Sequence, residues 1–421
     1  MKKKRIPRLT LPSAVLEAVL CQSKVNEAPH NFYKYPARFA PTFAREVIRA
    51  FSQKKQVVLD PFCGGGTTLL EAMSLGRRSA GMDVSTLATF IARAKTTPLS
   101  VHDRRAIETW CDEIAIELPT GRNGHGRFAE ADREHYERNL PDEVMGFFAW
   151  VIARIGQLEK SRQQTFARLI LLSVGQWGLD YKTHVPTVTA LRDEFVSRLH
   201  EALTNYMVFL SGTAEKNKIP RCRLGAMRRV INRDSREMNQ DGRIPESWLP
   251  AKLVVTSPPY PGVHVVYHRW QIRGRKETPA PFWLANQRDG EGESFYALGR
   301  RDEPELETYY ERLQQIFTSV HSMLDTDGLV FQLVAFSKPE WQLPAFLKTM
   351  RAAGFAEVLV KKNHECIVGG RLWRQVPGRK WYANKRGSIP ASKEVLLIHR
   401  PVRKLPVARK STHHFHQANQ S

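Results

Sequence analysis

The sequence predicts an α/β fold: an open, mostly parallel sheet with helices between its strands, interrupted by a long helical insertion. Three observations lead there. Short apolar runs near residues 56, 79, 229, 253, 328, 356 and 394 have the length and content of strands, and helical patterns fall between most of them. Two of these runs end in turn-forming stretches that carry polar, ligand-type residues, Asp60 to Thr67 and Thr256 to Tyr260. Between Val101 and about Gly225 the apolar spacing is helical and β-branched runs are few. The chain thus divides into a first half of the sheet (1–100), a helical insertion (101–225), a second half (226–400) and a basic tail (401–421).

Each element has its own signal. Ser13 to Leu20 reads as a short helix, and His30 to Pro41, rich in aromatics and proline, reads as irregular before a helix from Thr42 to Phe51. Val57, Val58 and Leu59 form a strand ending at Asp60. The glycines Gly64 to Gly66 then let the backbone turn tightly and approach a ligand, and a helix from Leu69 to Leu75 opens with free N–H groups behind them. Thr67 stands where a phosphate-binding P-loop needs lysine, which argues against that class. The second strand, Ser79 to Asp83, ends in an acid; Asp83 in that position suits both hydroxyls of a ribose, or else caps the helix beginning near Thr86.

The insertion reads as helices over 104–118, 142–158, 161–172 and 188–210. Trp177, Tyr181, Lys182 and His184 cluster beside Pro186 at a helix break, either as core or as a polyanion contact. Arg228 to Arg233 is a modest strand running into Asp234. Leu253 to Val255 is a buried strand stopped by Pro258 and Pro259, which fix φ and donate no hydrogen bond. A helix over 308–324, a strand over 328–334, a helix over 343–353 closed by Gly354, and strands over 355–360 and 394–398 complete the pattern.

Composition narrows the function. The chain has 421 residues, 64 Lys+Arg against 42 Asp+Glu, and a net charge of +22, which favours a polyanionic partner, nucleic acid before membrane. Cys21, Cys63, Cys111, Cys222 and Cys366 lack metal-ligand spacing, and their odd number argues against a disulfide framework. No metal site is expected. Neither a signal peptide nor a bilayer-spanning run is visible, so the expected setting is a reduced cytoplasm, at the nucleoid.

The loop Ser257-Pro258-Pro259-Tyr260 suits one task. Stiffened by its prolines, it can aim the oxygens of Ser257 and of the Pro258 backbone at an exocyclic amine, while Tyr260 offers a face for a flipped base. Thr256 to Tyr260 resembles the catalytic motif of the amino-group DNA methyltransferases, which use S-adenosylmethionine, and its Ser257 form is typical of members that methylate cytosine at N4. Asp60-Pro61-Phe62-Cys63-Gly64-Gly65-Gly66-Thr67 resembles the cofactor motif of the same family.

The resemblance covers roughly residues 30–100 and 228–400 and implies a seven-stranded, mostly parallel, Rossmann-like methyltransferase sheet with one late antiparallel strand. It implies that Asp60 faces the ammonium of S-adenosylmethionine and that Pro61, Phe62, Gly64, Gly66 and Thr67 shape the methionine pocket. Tyr35, Pro36 and Phe39 would line the same end, and Asp234 would accept from the adenine amine. It implies double-stranded DNA as substrate and, by family setting, a cognate restriction or defence nuclease as partner. The insertion departs from the commoner layouts, because it falls before Asp234 and not after it.

Two basic and aromatic stretches are expected to face DNA. The first holds His268, Arg269, Arg273, Arg275 and Lys276, the second Arg371, Arg374, Arg379 and Lys380; the second reads equally as a solvated hairpin. The run to about Glu305 and the tail read as mobile. Three alternatives stay open: an adenine-N6 enzyme, a guanine-N2 enzyme acting on tRNA, and a DNA-binding relative without turnover.

Overall fold

The computed structural model describes residues 7–23, 25–36, 38–117, 130–262, 269–273, 276–290, 298–300, 306–375 and 393–402. Its strands, in chain order, are β1 (Arg8–Leu9), β2 (Val57–Asp60), β3 (Arg78–Asp83), β4 (Arg228–Asn232), β5 (Ala251–Thr256), β6 (Trp270–Ile272), β7 (Lys276–Thr278), β8 (Leu324–Ala335), β9 (Phe355–Glu357), β10 (Leu359–Val360), β11 (Ile367–Val368), β12 (Arg371–Gln375) and β13 (Lys393–Pro401).

The main sheet has the order β11-β12-β13-β8-β5-β2-β3-β4, and β9 also pairs with β13. β8, β5, β2, β3 and β4 run parallel; β13 is antiparallel to β8, and β12 to β13. β2 is buried along its whole length and β5 nearly so, as expected of parallel strands covered on both faces. From β2 the chain moves outward to β3 and β4 and then returns to the other side of β2 as β5. The carboxyl ends of β2 and β5, Asp60 and Thr256, therefore flank a topological switch point, where an open α/β sheet forms its ligand crevice.

Each expected strand lies at least in part in this sheet, which among the described residues holds nine strands and not seven. The additions are β11 and β12, so Arg371 to Gln375 is a sheet strand and not a recognition loop. The expected strand over 355–360 splits: Phe355–Glu357 pairs with β13, while Leu359–Val360 pairs with β1 near the amino end of the chain.

The helices are α1 (Ser13–Leu20), α2 (Pro41–Phe51), α3 (Thr67–Ser74), α4 (Thr86–Thr96), α5 (Val101–Ile116), α6 (Glu130–Glu137), α7 (Asp142–Ile155), α8 (Ser161–Leu179), α9 (Val188–Asn217), α10 (Arg221–Leu224), α11 (Ala280–Ala285), α12 (Glu307–Met323) and α13 (Pro339–Ala352). α1 and α2 cover one face of the sheet, with Val15, Phe43 and Val47 against Val58, Leu253 and Phe331. α12 and α13 cover the other, with Phe317 and Phe346 against Val254, Val330 and Leu397. α5 to α9 form a third apolar layer over α4.

That third layer also contains Trp270, Ile272, Phe282 and Trp283. Trp270 is buried, with its indole over Gly175 of α8 and its Nε1 donating to the Tyr33 hydroxyl at 3.3 Å. An aromatic expected to face DNA is thus a core residue of the helical layer. Tyr181, by contrast, is 70% exposed at the α8–α9 break. Among the described residues no helix is long and apolar enough to cross a membrane.

Candidate active site

Three stretches of chain form the centre of the cleft at the switch point. The first is the turn after β2. Gly66 sits at φ 81°, and a Cβ there would lie 2.8 Å from that of Ala92 on α4, so only glycine allows the turn to lie this close. The turn is pinned from β3: the Gly64 N–H donates to Asp83 Oδ2 at 2.9 Å, and the Cys63 N–H to the Met82 carbonyl at 3.1 Å. Asp83 Oδ1 accepts from the Ser85 N–H at 2.9 Å. Burial pushes the Asp83 carboxyl up to about 6, against the pull of these two N–H donors. Each of its oxygens has spare lone-pair capacity toward the cleft, which suits the hydroxyls of a ribose.

The second stretch is Tyr35 to Phe39, beside Gly64 and Gly65. The third is the loop after β5, which is fixed at three points. Ser257 Oγ donates to the Leu333 carbonyl of β8 at 2.9 Å, the Tyr309 hydroxyl donates to the Pro259 carbonyl at 2.7 Å, and the Tyr260 hydroxyl donates to Glu394 Oε1 at 2.5 Å. Among the described residues no hydrogen bond reaches the Pro258 carbonyl. The cleft encloses about 1030 Å³, part of it open to solvent, which is room for a nucleoside cofactor and a base together.

Of the residues expected here, Tyr35, Pro36, Phe39, Pro61, Phe62, Gly64, Thr67, Asp83, Asp234, Ser257, Pro258, Pro259 and Tyr260 all line the cleft. Asp60 and Gly66 lie behind that lining. Gly66 acts from behind, by its packing on Ala92. Asp60 is 1% exposed beneath the turn. Its Oδ1 accepts from Thr256 Oγ1 at 2.6 Å and from the Phe62 N–H at 3.2 Å, so it joins the loops after β2 and β5. Burial raises the Asp60 carboxyl to about 7, opposed by the Thr256 and Thr68 hydroxyls and the Phe62 N–H.

Asp234 reaches the cleft but is engaged by its own turn. It accepts from the Arg236 N–H at 2.9 Å and from Arg236 Nε at 2.9 Å. Burial alone would raise its carboxyl, and the Arg236 bonds outweigh that and lower it, so it is held as the anion.

The sequence reading missed Arg38, Val84, Ser235, Arg236, Leu298, Arg312 and Ile316, all on the cleft wall beside Cys63 and Gly65 of the quoted motif. Arg38 stands inside the same aromatic stretch as Tyr35 and Phe39, so its signal was present. Arg312 lies on an amphipathic helix, and nothing in the local sequence marks it.

The expected DNA contacts divide. Arg374 is a correction: it is 5% exposed, its Nε donates to Glu394 Oε2 at 2.6 Å and its Nη1 to the Val19 carbonyl at 2.8 Å. Arg371 makes a two-bond pair with Glu357, at 2.6 and 2.9 Å, and Arg269 is paired with Asp289 at 2.7 Å. Arg273 and Lys276 are exposed. His268, Arg275, Arg379, Lys380, the tail from 403 and most of the 291–305 run lie outside the described residues.

The fold and cleft define an open α/β protein with its ligand crevice at the switch point of the sheet. Comparison with known proteins adds the family. The family model described as DNA methylase, N6_N4_Mtase, matches residues 1–91. The Type II methyltransferase M.MvaI of Kocuria varians is 35% identical over 80 residues, 18% of this chain and 18% of that protein. M.ScaI of Streptomyces caespitosus is 44% identical over 50 residues, 12% of this chain and 16% of that protein. The matched stretches thus span less than a fifth of these relatives' length. TrmN from Thermus thermophilus aligns with 86% of this chain and 49% of its own at 11% identity and a TM-score of 0.29, a likeness too loose to bear on function. Over residues 1–91, which hold the turn after β2, the chain is thus similar to the N6/N4 DNA methylases.

Proposed function

We propose that this protein methylates the N4 amine of a flipped cytosine in DNA, with S-adenosylmethionine as donor. One observation carries the reading. The Ser257 hydroxyl spends its proton on the Leu333 carbonyl, so toward the cleft it offers only lone pairs, and the adjacent Pro258 carbonyl has no partner among the described residues. Two neighbouring acceptors with no donor between them complement an NH₂ group with its two hydrogens. Held that way, the amine nitrogen turns its own lone pair into the cleft.

Tyr260 supplies the aromatic face for the base, and its ring is fixed through the hydroxyl. Asp83, Phe62, Asp234 and the Tyr35–Phe39 stretch hold the donor in this reading. The bound cofactor supplies an electrophilic sulfonium methyl. The protein contributes by placing the amine in line and excluding water, so positioning provides most of the acceleration. Cys63 is buried, with its thiol pushed well up by burial, and takes no covalent role.

The net charge of +22 and the exposed Arg273 and Lys276 support a DNA substrate. Residues 1–100 and 226–400 then form the catalytic unit, and 101–225 a scaffold for the hairpin that carries Arg273. The implied setting is the nucleoid, with a nuclease that reads the same DNA site as partner.

The test is incubation with unmethylated DNA and labelled S-adenosylmethionine, then nucleoside separation, for wild type and Ser257→Ala. Label in N4-methylcytosine that disappears in the variant is expected. Label in N6-methyladenine would keep the loop mechanism and replace the base, and label only in added tRNA would overturn the DNA reading.

A further inference from the structure

Arg38 is a half-buried cation with no counter-ion among the described residues. It lies on the cleft wall with Tyr35, Pro36 and Phe39, and its Nη1 donates to the His30 carbonyl at 2.6 Å. The buried Lys95 ammonium points at the same carbonyl, at 3.2 Å, and at that of Tyr33, at 2.9 Å. Arg38 and Lys95 therefore share one neutral oxygen, and burial together with the Arg38 charge pushes the Lys95 ammonium well below its ordinary value.

The nearby carboxylates are committed elsewhere. Glu71 takes Arg45 through both oxygens, at 2.7 and 2.8 Å, and His30 at 2.7 Å, while Glu27 takes Arg45 at 2.6 Å. Glu27, His30 and Glu71 are spaced as a metal triad would be, but the Arg45 guanidinium already sits among them as the cation. Among the described residues no carboxylate pairs with Arg38. Burial lowers its guanidinium to about 10, with no acidic neighbour to offset it. Removing a charge from water without a partner is expensive, and one carbonyl returns only part of the cost. A guanidinium has five donors, and one is used here.

We infer that Arg38 is the recognition residue for a ligand α-carboxylate, the one at the amino-acid end of S-adenosylmethionine. This rests on the cofactor reading above. An arginine fork matches a carboxylate in two parallel bonds, and its place between Tyr35 and Phe39 puts it at the end of the cleft expected to take the methionine moiety. The arrangement also explains why the turn beside it needs small residues: a Cβ on Gly65 would lie 2.9 Å from that of Tyr35, so bulk there would push the Arg38 stretch away.

Calorimetry on the full chain without DNA tests this with three ligands: S-adenosylmethionine, its decarboxylated analogue, and 5′-methylthioadenosine, which lacks the amino-acid arm. Wild type should bind the first roughly 10- to 100-fold more tightly than the second, the scale of a charge-assisted bond pair. Arg38→Met should lose that preference while its affinity for 5′-methylthioadenosine is unchanged, and Arg38→Lys should keep part of it. A methionine variant that still discriminates as wild type does overturns the inference. Should that variant fold poorly, wild type alone decides: equal affinity for the first two ligands refutes the carboxylate role. Wild type that binds none of the three removes the cofactor reading and this inference together.

Discussion

The Tyr260 ring is held by a buried ion pair from the edge of the sheet, and breaking that pair should separate stability from catalysis. Glu394 on β13 accepts from the Tyr260 hydroxyl at 2.5 Å and from Arg374 on β12 at 2.6 Å, and both charged residues are 5% exposed. Arg374→Met removes the cation and leaves the Glu394 carboxylate buried with a phenol as its remaining side-chain partner. Breaking a buried pair from one side costs about 3–5 kcal/mol. The double variant Arg374→Met/Glu394→Leu removes both charges, and replacing a buried pair by apolar groups is about neutral. It should therefore recover most of the stability in urea unfolding. It should not recover activity, because Tyr260 has lost the acceptor that fixes its ring. Loss of one such bond, about 1.4 kcal/mol, is about tenfold in rate. A single variant as stable as wild type to within about 1 kcal/mol, or a double variant with full kcat, would refute the argument that this pair positions Tyr260.

Ser257→Ala removes one of the two amine acceptors and should lower kcat by about 10- to 100-fold while leaving cofactor affinity in calorimetry unchanged; equal loss of both would place Ser257 in the cofactor site instead. Asp83 should make cofactor binding depend on pH. Ribose hydroxyls bind the anion, so affinity should rise with pH up to about 6, where Asp83 ionises in the folded protein, and level off above. The sign for stability is opposite: a raised carboxyl favours the folded state below its unfolded value of 3.8 and loses that contribution as pH rises toward about 6. Asp83→Asn should abolish both effects, and unchanged profiles in that variant would sink the assignment. Neutralising Arg273 and Lys276 should reduce the slope of log K against log salt for DNA binding by about one for each phosphate they neutralise in wild type. An unchanged slope would move the DNA face elsewhere.

What the sequence revealed depended on the range of the interactions involved. The turn after β2 and the loop after β5 are legible because their physics is local: glycines permit positive φ, prolines stop a strand, and a short apolar run precedes each. Arg374 was misread because the residue that decides its fate, Glu394, is on the neighbouring antiparallel strand. Arg371 to Gln375 in fact alternates in burial, with Leu372 and Arg374 inward, and a strand pattern with a charge at an inward position resembles a solvated loop until the partner is known. Trp270 is the same case for an aromatic, since its burial depends on Gly175 of α8. Asp60 shows a subtler limit: its place in the turn motif is local, but its bond to Thr256 on the neighbouring strand is not.

That bond from Thr256 to Asp60 has a mechanical consequence. It bolts together, under the floor, the two walls that meet donor and target, so neither can swing without the other. Clearance for exchanging a spent nucleoside then falls to the other walls, among them the Tyr35–Phe39 side. There the outer fastening is light: the Lys34 N–H donates to Gln176 Oε1 at 3.2 Å and Gln176 Nε2 donates back to the Lys34 carbonyl at 3.0 Å, both at the solvent edge. Turnover would then be paced by a latch between the first loop and the helical layer. The exchange rate of the Lys34 amide hydrogen reports it, and an amide as slow to exchange as those of β2 would rule the latch out.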